Sequence, residues 1–213
     1  MPQESVYPYA LTTLERVKDR LGITNTNSDA VLTRLINGMT DFIEKQCGGR
    51  RFLQSTYANE LYSVYSPRAE YVVLKQAPVA SISSFQFSVS QPPTSSKVWQ
   101  DFLAVNWELL EDGKSGIIRV YRSLFKGINV ARCSYVAGYL IDWPNAGNGT
   151  THTLPADLTD LCERLVSIEY KRRNSEGKDR EGMQQSIIIW SKDLFSGQDM
   201  EIINSYNRLP IFV

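Results

Sequence analysis

The sequence predicts an α+β protein: a small helical bundle with a large antiparallel β insertion and an extended C-terminal tail. The bundle is read as an N-terminal helical hairpin plus a long third helix. Three observations lead there. Apolar residues recur at helical spacing between Leu14 and Ile43 and again between Leu158 and Val166. From about Tyr57 to Tyr139 the pattern changes to short runs of β-branched and aromatic residues. The last five residues, Leu209, Pro210, Ile211, Phe212 and Val213, are all apolar. The segments expected are 1–52 for the hairpin, 53–150 for the β insertion, 151–182 for the third helix and a charged loop, and 183–213 for a strand, a short helix and the tail.

The first helix opens at Leu11-Thr12-Thr13-Leu14-Glu15, where Thr12 and Glu15 read as a capping box, and Gly22 stops it after Leu14, Val17 and Leu21 have lined one face. A polar linker, TNTNSD, leads to a second helix capped by Ser28. Its apolar positions Val31, Leu32, Leu35, Ile36, Met39, Phe42 and Ile43 follow the 3.6 period until Gly48-Gly49. The runs YVVL, ISSFQFSV, WELL, IIRVY and ARCSYVAGY then read as strands of one sheet, with Asp112-Gly113 as a turn between two of them. WPNAGNGTTHT is a loop. Pro155 starts the third helix, whose buried stripe is Leu158, Leu161, Cys162, Leu165 and Val166. Asp157 and Asp160 near its start and Lys171, Arg172 and Arg173 at its end complement the helix dipole, and Asp160 to Arg164 and Glu169 to Arg173 are spaced as i,i+4 pairs. Beyond Glu181 come a strand-like SIIIW, a break at Gly197, and a short helical stretch near Asp199 to Tyr206.

Charge limits the partners. The 23 basic and 23 acidic residues cancel, and they nearly cancel by region: 6 against 6 in residues 1–50, 9 against 7 in 51–150, and 8 against 10 in 151–213. Affinity for DNA grows from neutralised phosphates, so a neutral chain is a poor free-standing DNA binder unless it gathers a local patch. Three cysteines, Cys47, Cys133 and Cys162, without CxxC spacing read as reduced thiols rather than a disulfide framework. The N-terminus has no basic start followed by an apolar run, no stretch reaches the length of a membrane span, and Asn148-Gly149-Thr150 reads as a turn rather than a glycosylated sequon.

Catalytic signatures are not found. The single histidine, His152, stands in a threonine-rich loop away from any cysteine or carboxylate cluster and reads as a solvated loop residue. Gly113-Lys114-Ser115 lacks the first glycine of a phosphate loop and the helix that should follow it, and GxSxG, HExxH and a dinucleotide glycine turn are missing. Trp99, Trp107, Trp143 and Trp190 are spread along the chain and read as core or subunit-interface residues. Neither a metal nor a cofactor is expected.

A set of motifs does stand out in order. LTTLERVKDRLGI, a polar linker and SDAVLTRLINGMTDFIEKQCGGRRF come first, the last ending in Cys47, Gly48, Arg51 and Phe52. YVAGY at 135–139 follows, then LPADLTDLCERLVSIEYKRR at 154–173, REG at 180–182, and INSYNRLPIF at the end. Together they resemble the head–tail connector, or adaptor, proteins of long-tailed bacteriophages, over a little under half of the chain. The resemblance implies a structural virion protein and not an enzyme: a ring beneath the portal at the phage neck, joining capsid to tail and forming part of the DNA conduit. It implies twelve copies, a portal partner, a tail-side neck or stopper protein, and double-stranded DNA passing without specific binding, with assembly in the host cytoplasm and no membrane. The alternative reading is a small cytosolic α+β enzyme or nucleic-acid-binding module.

Two groups of residues follow as candidate contact sites. Tyr206, Arg208, Leu209, Pro210, Ile211, Phe212 and Val213 form an apolar terminus that a portal or a neighbouring subunit would cover. Lys171, Arg172, Arg173, Lys178 and Arg180 form a basic stretch that would face the lumen or a subunit interface. Glu176, Asp179 and Glu181, interspersed with it, oppose phosphate binding.

Overall fold

A computed structural model describes residues 5–66, 69–89, 97–124, 126–173, 180–183, 186–189 and 195–207. In chain order the elements are α1 (Leu14–Leu21), α2 (Asp29–Gln46), β1 (Ser55–Val64), β2 (Ala69–Val73), β3 (Val79–Ser88), β4 (Trp99–Asp101), β5 (Trp107–Leu109), β6 (Ile117–Leu124), β7 (Gly127–Ala137), α3 (Ala156–Arg172), β8 (Arg180–Met183), β9 (Ser186–Ile189) and α4 (Gly197–Tyr206). The protein is therefore α+β, and its chain divides into two compact units. Residues 5–49 and 141–207 build a helical unit, and Arg50–Leu140 build a β unit.

In the helical unit α1, α2 and α4 all pack on α3. The apolar stripe of α3, Leu158, Leu161, Cys162, Leu165 and Val166, is fully buried, and Leu32, Ile36 and Ile43 of α2 and Val17 of α1 are buried with it. The cap of α1 sits one residue later than the expected box: Thr13, not Thr12, takes the Arg16 N–H on its hydroxyl. Thr12 is instead buried and donates to Glu163 at 3.1 Å. Gly22 ends α1 in the left-handed region at φ 67°, and Ile23 N–H reaches back to Lys18 O at 2.9 Å, a closure that favours a residue without Cβ. Ser28 does precede α2, but its hydroxyl lies 2.6 Å from Tyr170 Oη instead of capping the helix. Gly197 is not a break: it is the first residue of α4, behind a Ser196–Asp199 capping box.

The β unit contains two sheets rather than one. The first has order β1-β7-β3-β4 and the second β2-β6-β5, with every pairing antiparallel. Their inward rows, among them Tyr62, Val72, Phe85, Phe102, Ile118, Val120, Cys133 and Tyr135, make one apolar cluster. Strands alternate between that cluster and the surface, as β7 shows with Ala131, Cys133, Tyr135 and Ala137 inside and Arg132 and Ser134 out. The turn expected at Asp112-Gly113 lies between β5 and β6. Glu111 and Asp112 have positive φ there, and Gly113, at φ 86°, sits where an added Cβ would meet Val79 O at 2.1 Å. No P-loop geometry follows, since the chain continues into β6.

Candidate functional site

The two ends of the β unit come together as a clasp. Residues Arg51-Phe52 enter the unit and Gly138-Tyr139 leave it. Tyr139 N–H donates to Phe52 O at 2.6 Å, Gln54 N–H to Tyr139 O at 2.8 Å, and Gly138 N–H to Pro78 O at 2.8 Å. The rings of Phe52 and Tyr139 lie 6.3 Å apart, with Phe52 fully buried. Gly138 is required by this approach. At φ 109° it holds a conformation that side chains disfavour, and a Cβ would fall 2.8 Å from Gln54 backbone atoms. Two motifs far apart in sequence thus form one local structure.

Inside the β unit half-buried Glu60 is the hub of a polar group. Its Oε2 accepts from Tyr62 Oη and Tyr135 Oη, each at 2.7 Å, while Lys75 Nζ stands 3.8 Å from Oε1. Burial, followed by the hydrogen-bonded neighbours, raises the Tyr62 phenol well above its usual value. Burial likewise raises that of Tyr135. Cys133, beneath them, is pushed up to about 12 by burial first and the Glu60 charge second. The two phenols and the thiol are thereby kept protonated, which suits a structural role and not a nucleophile.

The helical unit is tied by ion pairs that cross between helices. Glu163, nearly buried, takes Arg16 Nε at 2.6 Å along with Thr12, and Arg20 bridges Asp160 at 2.6 Å and Glu163 at 3.6 Å. Arg164 pairs with buried Asp199 of α4. Asp160 and Arg164 therefore do not pair with each other as the i,i+4 spacing suggested: each has a partner on another helix. The chain before α1 is strapped to α2 by a polar stripe, with Asn37 taking Tyr7 N–H at 2.9 Å and donating to Ser5 O at 3.0 Å, and Thr40 taking Leu11 N–H at 3.2 Å. The sequence reading missed this strap. Its signal was the run of buried polar residues Thr33, Asn37, Thr40 and Glu44 at helical spacing. His152, read as a solvated loop residue, is instead built in: Nδ1 accepts the Asp142 N–H at 3.1 Å and the ring packs on Trp143 at 4.7 Å. The Asn148 turn is present, with Thr150 N–H on Asn148 Oδ1 at 3.0 Å.

Of the basic candidates, Arg172 Nη1 lies 3.6 Å from Glu169 Oε1, an i,i+3 pair, and the Arg173 guanidinium stacks 4.2 Å from the Tyr170 ring centroid. The expected Glu169–Arg173 pair is replaced by these two contacts. Lys171 is exposed at the same helix end. Arg180 begins β8, and Lys178 lies outside the described residues. Of the terminal candidates, Tyr206 closes α4 with its hydroxyl at Asp157, while Arg208, Leu209, Pro210, Ile211, Phe212 and Val213 lie outside the described residues. Asp157 and Arg172 stand at opposite ends of α3, roughly 22 Å apart along its axis at about 1.5 Å per residue. Tyr206 and Arg172 thus sit at opposite ends of α3. Trp190, too, is outside the described residues.

Among the described residues no group of three His, Cys, Asp or Glu side chains is placed to hold a metal, and no helix is long and apolar enough to cross a membrane. A sequence model described as head completion protein matches residues 10–209. No curated protein matches. Among solved structures, a chain from the neck of an empty GTA particle computed with C6 symmetry is similar in fold, with TM-score 0.54 and 16% identity over 98% of this chain and 94% of that one.

Proposed function

We propose that this chain, which belongs to the head completion protein family and is a structural protein of the phage head–tail connection rather than an enzyme, works as one subunit of a ring beneath the portal. The observation that carries the reading is the reach of the family match, residues 10–209, which takes in the helical unit and the β unit together. The match spans both units and is not confined to a piece of one.

In this reading twelve copies match the portal, a number compatible with the sixfold axis applied to the similar GTA neck. The ring joins capsid to tail, meets a tail-side stopper protein, and lets DNA through during packaging and ejection. It assembles in the host cytoplasm and stays in the virion. The charge supports a passive conduit: basic and acidic residues cancel, and Arg16, Lys18, Arg20, Arg164 and Arg172 are each matched by a carboxylate. The apolar terminus from Leu209 to Val213, with Arg208, docks on the portal or a neighbouring subunit.

The test is assembly. Purified chain mixed with isolated portal rings and imaged by electron cryomicroscopy is expected to add a ring of density at one pole of the portal. Portals that remain bare at saturating protein would overturn the reading.

A further inference from the structure

We infer that Asn148 is a self-modification site: its side-chain amide converts, through attack by the Gly149 nitrogen, to aspartate and isoaspartate, and Thr150 activates the reacting carbonyl. The Asn148 Oδ1 accepts two hydrogen bonds, from Thr150 N–H at 3.0 Å and from Thr150 Oγ1 at 2.6 Å. Both donors stand where negative charge gathers when a nucleophile adds to Cγ, so they stabilise that addition. The nucleophile is the next residue in the chain. Gly149 is exposed, a Cβ there would meet nothing within 4 Å, and its N–H is in no hydrogen bond among the described residues. Lacking a side chain, it also offers the least resistance to the backbone rotation that ring closure needs.

The reaction balances with water as the sole co-reactant. Gly149 N bonds to Asn148 Cγ, the bond from Cγ to Nδ2 breaks, and the proton of Gly149 N leaves with Nδ2 as ammonia. Water then opens the succinimide ring at either carbonyl. One opening gives aspartate. The other gives isoaspartate, in which the chain runs through Cβ and Cγ and the former main-chain carbonyl is a carboxylate. In the unmodified chain that carbonyl accepts from Thr151 N–H at 3.1 Å and His152 N–H at 2.8 Å, so isoaspartate rearranges the turn leading into His152. Either product adds a negative charge to a chain whose charges otherwise cancel.

The chain carries a second Asn-Gly pair, and there the fold protects it. Asn37-Gly38 lies inside α2, with Asn37 buried, its Oδ1 on Tyr7 N–H at 2.9 Å and its Nδ2 on Ser5 O at 3.0 Å. A helical side chain leans back toward the N-terminus, away from the following nitrogen, and that nitrogen is committed to the helix ladder. The fold, and not the dipeptide, therefore selects Asn148.

Ageing of the full chain tests this, independently of the ring reading. Folded protein is held at mildly alkaline pH, sampled over weeks and digested for mass mapping, and isoaspartyl methyltransferase labelling counts the isoaspartate. Asn148 is expected to convert at least about tenfold faster than Asn37, whose reaction waits for α2 to open. In urea the two sites are expected to convert at similar rates. Thr150→Val, which removes the hydroxyl, is expected to slow Asn148 several-fold, while Thr150→Ser, which keeps it, holds the wild-type rate. A folded chain in which Asn148 stays intact, or converts no faster than Asn37, overturns the inference. Two sites that stay far apart in urea overturn it as well, since the difference would then lie in local sequence. So does a Thr150→Val variant that ages as fast as the wild type.

Discussion

The hydroxyl of Tyr206 lies 2.8 Å from Oδ1 and 3.0 Å from Oδ2 of Asp157, one donor shared between both oxygens of a carboxylate. It fastens the last turn of α4 to the first turn of α3. Ile203, buried on the same helix, and Arg164 with Asp199 complete the attachment. Tyr206 is thus part of the helical unit's own packing, and it marks a boundary for any truncation from the C-terminal side.

The first prediction follows from that boundary. Deleting Arg208–Val213 is expected to leave the thermal midpoint unchanged and abolish portal binding. Deleting from Tyr206 onward, or making Tyr206→Phe, lowers the midpoint by a few degrees, because a hydrogen bond to a charged group at a partly exposed site is worth about 1 kcal/mol. Calorimetry with a portal pull-down separates the two effects. Loss of folding on deleting Arg208–Val213 would place the tail in the core.

The second concerns Gly138. Gly138→Ala places a methyl group 2.8 Å from the Gln54 backbone at φ 109°, so both sterics and conformation oppose it. A cost of at least about 2 kcal/mol is expected. The hydrogen bonds Tyr139 N–H to Phe52 O and Gln54 N–H to Tyr139 O should exchange with solvent much sooner than in the wild type. Protection equal to wild type would show that the clasp yields without strain.

How much of this could be read beforehand depended on range along the chain. The stripe of α3 was legible because Leu158, Leu161, Leu165 and Val166 repeat at helical spacing and are all buried, and Gly22 was legible because a helix stop needs left-handed backbone. The strand runs were legible as strands. Their division into two sheets was not, since β7 pairs with both β1 and β3 across the sequence, and pattern alone carries no such register. The ion pairs failed for the same reason. Exposed i,i+4 pairs are worth a few tenths of a kcal/mol, so Asp160 and Arg164 turn to tertiary partners, Arg20 and Asp199, when the fold offers them. The clasp could be named only as motifs, because Phe52 and Tyr139 are strangers until the sheets form.

The third prediction is alkaline. The Cys133 and Cys162 thiols, ordinarily near 9.0, are each pushed up to about 12, chiefly by burial, and the Tyr62 and Tyr135 phenols are raised from 10.0 in the same direction. A folded-state value above the unfolded one means that the fold holds the proton more tightly. This stabilisation is complete below the unfolded value and is lost as pH rises toward the folded one. The thermal midpoint is expected to hold steady up to pH about 8.5 and then fall, and Cys133→Ala with Cys162→Ala should make the fall shallower. A midpoint in the wild type that stays flat well beyond the ordinary thiol range would contradict the burial of these groups.

The fourth concerns the basic end of α3. Lys171, Arg172 and Arg173 sit where a helix dipole favours positive charge, a term of about 0.3–1 kcal/mol each that explains their placement without a ligand. Two of the three already have partners, Arg172 at Glu169 and Arg173 over Tyr170. Engaged cations release fewer counterions to phosphate, and Glu176, Asp179 and Glu181 follow closely in sequence. We therefore expect duplex DNA to bind weakly, with a log–log salt slope near zero that is unchanged when all three are replaced by Gln. Titrations of a labelled duplex between low and physiological salt measure it. Should the cluster grip phosphates, the wild-type slope would approach about −3, at roughly 0.9 per neutralised phosphate, and the triple variant would lose it. That outcome would turn the α3 end from a structural terminus into a DNA-facing surface of the conduit.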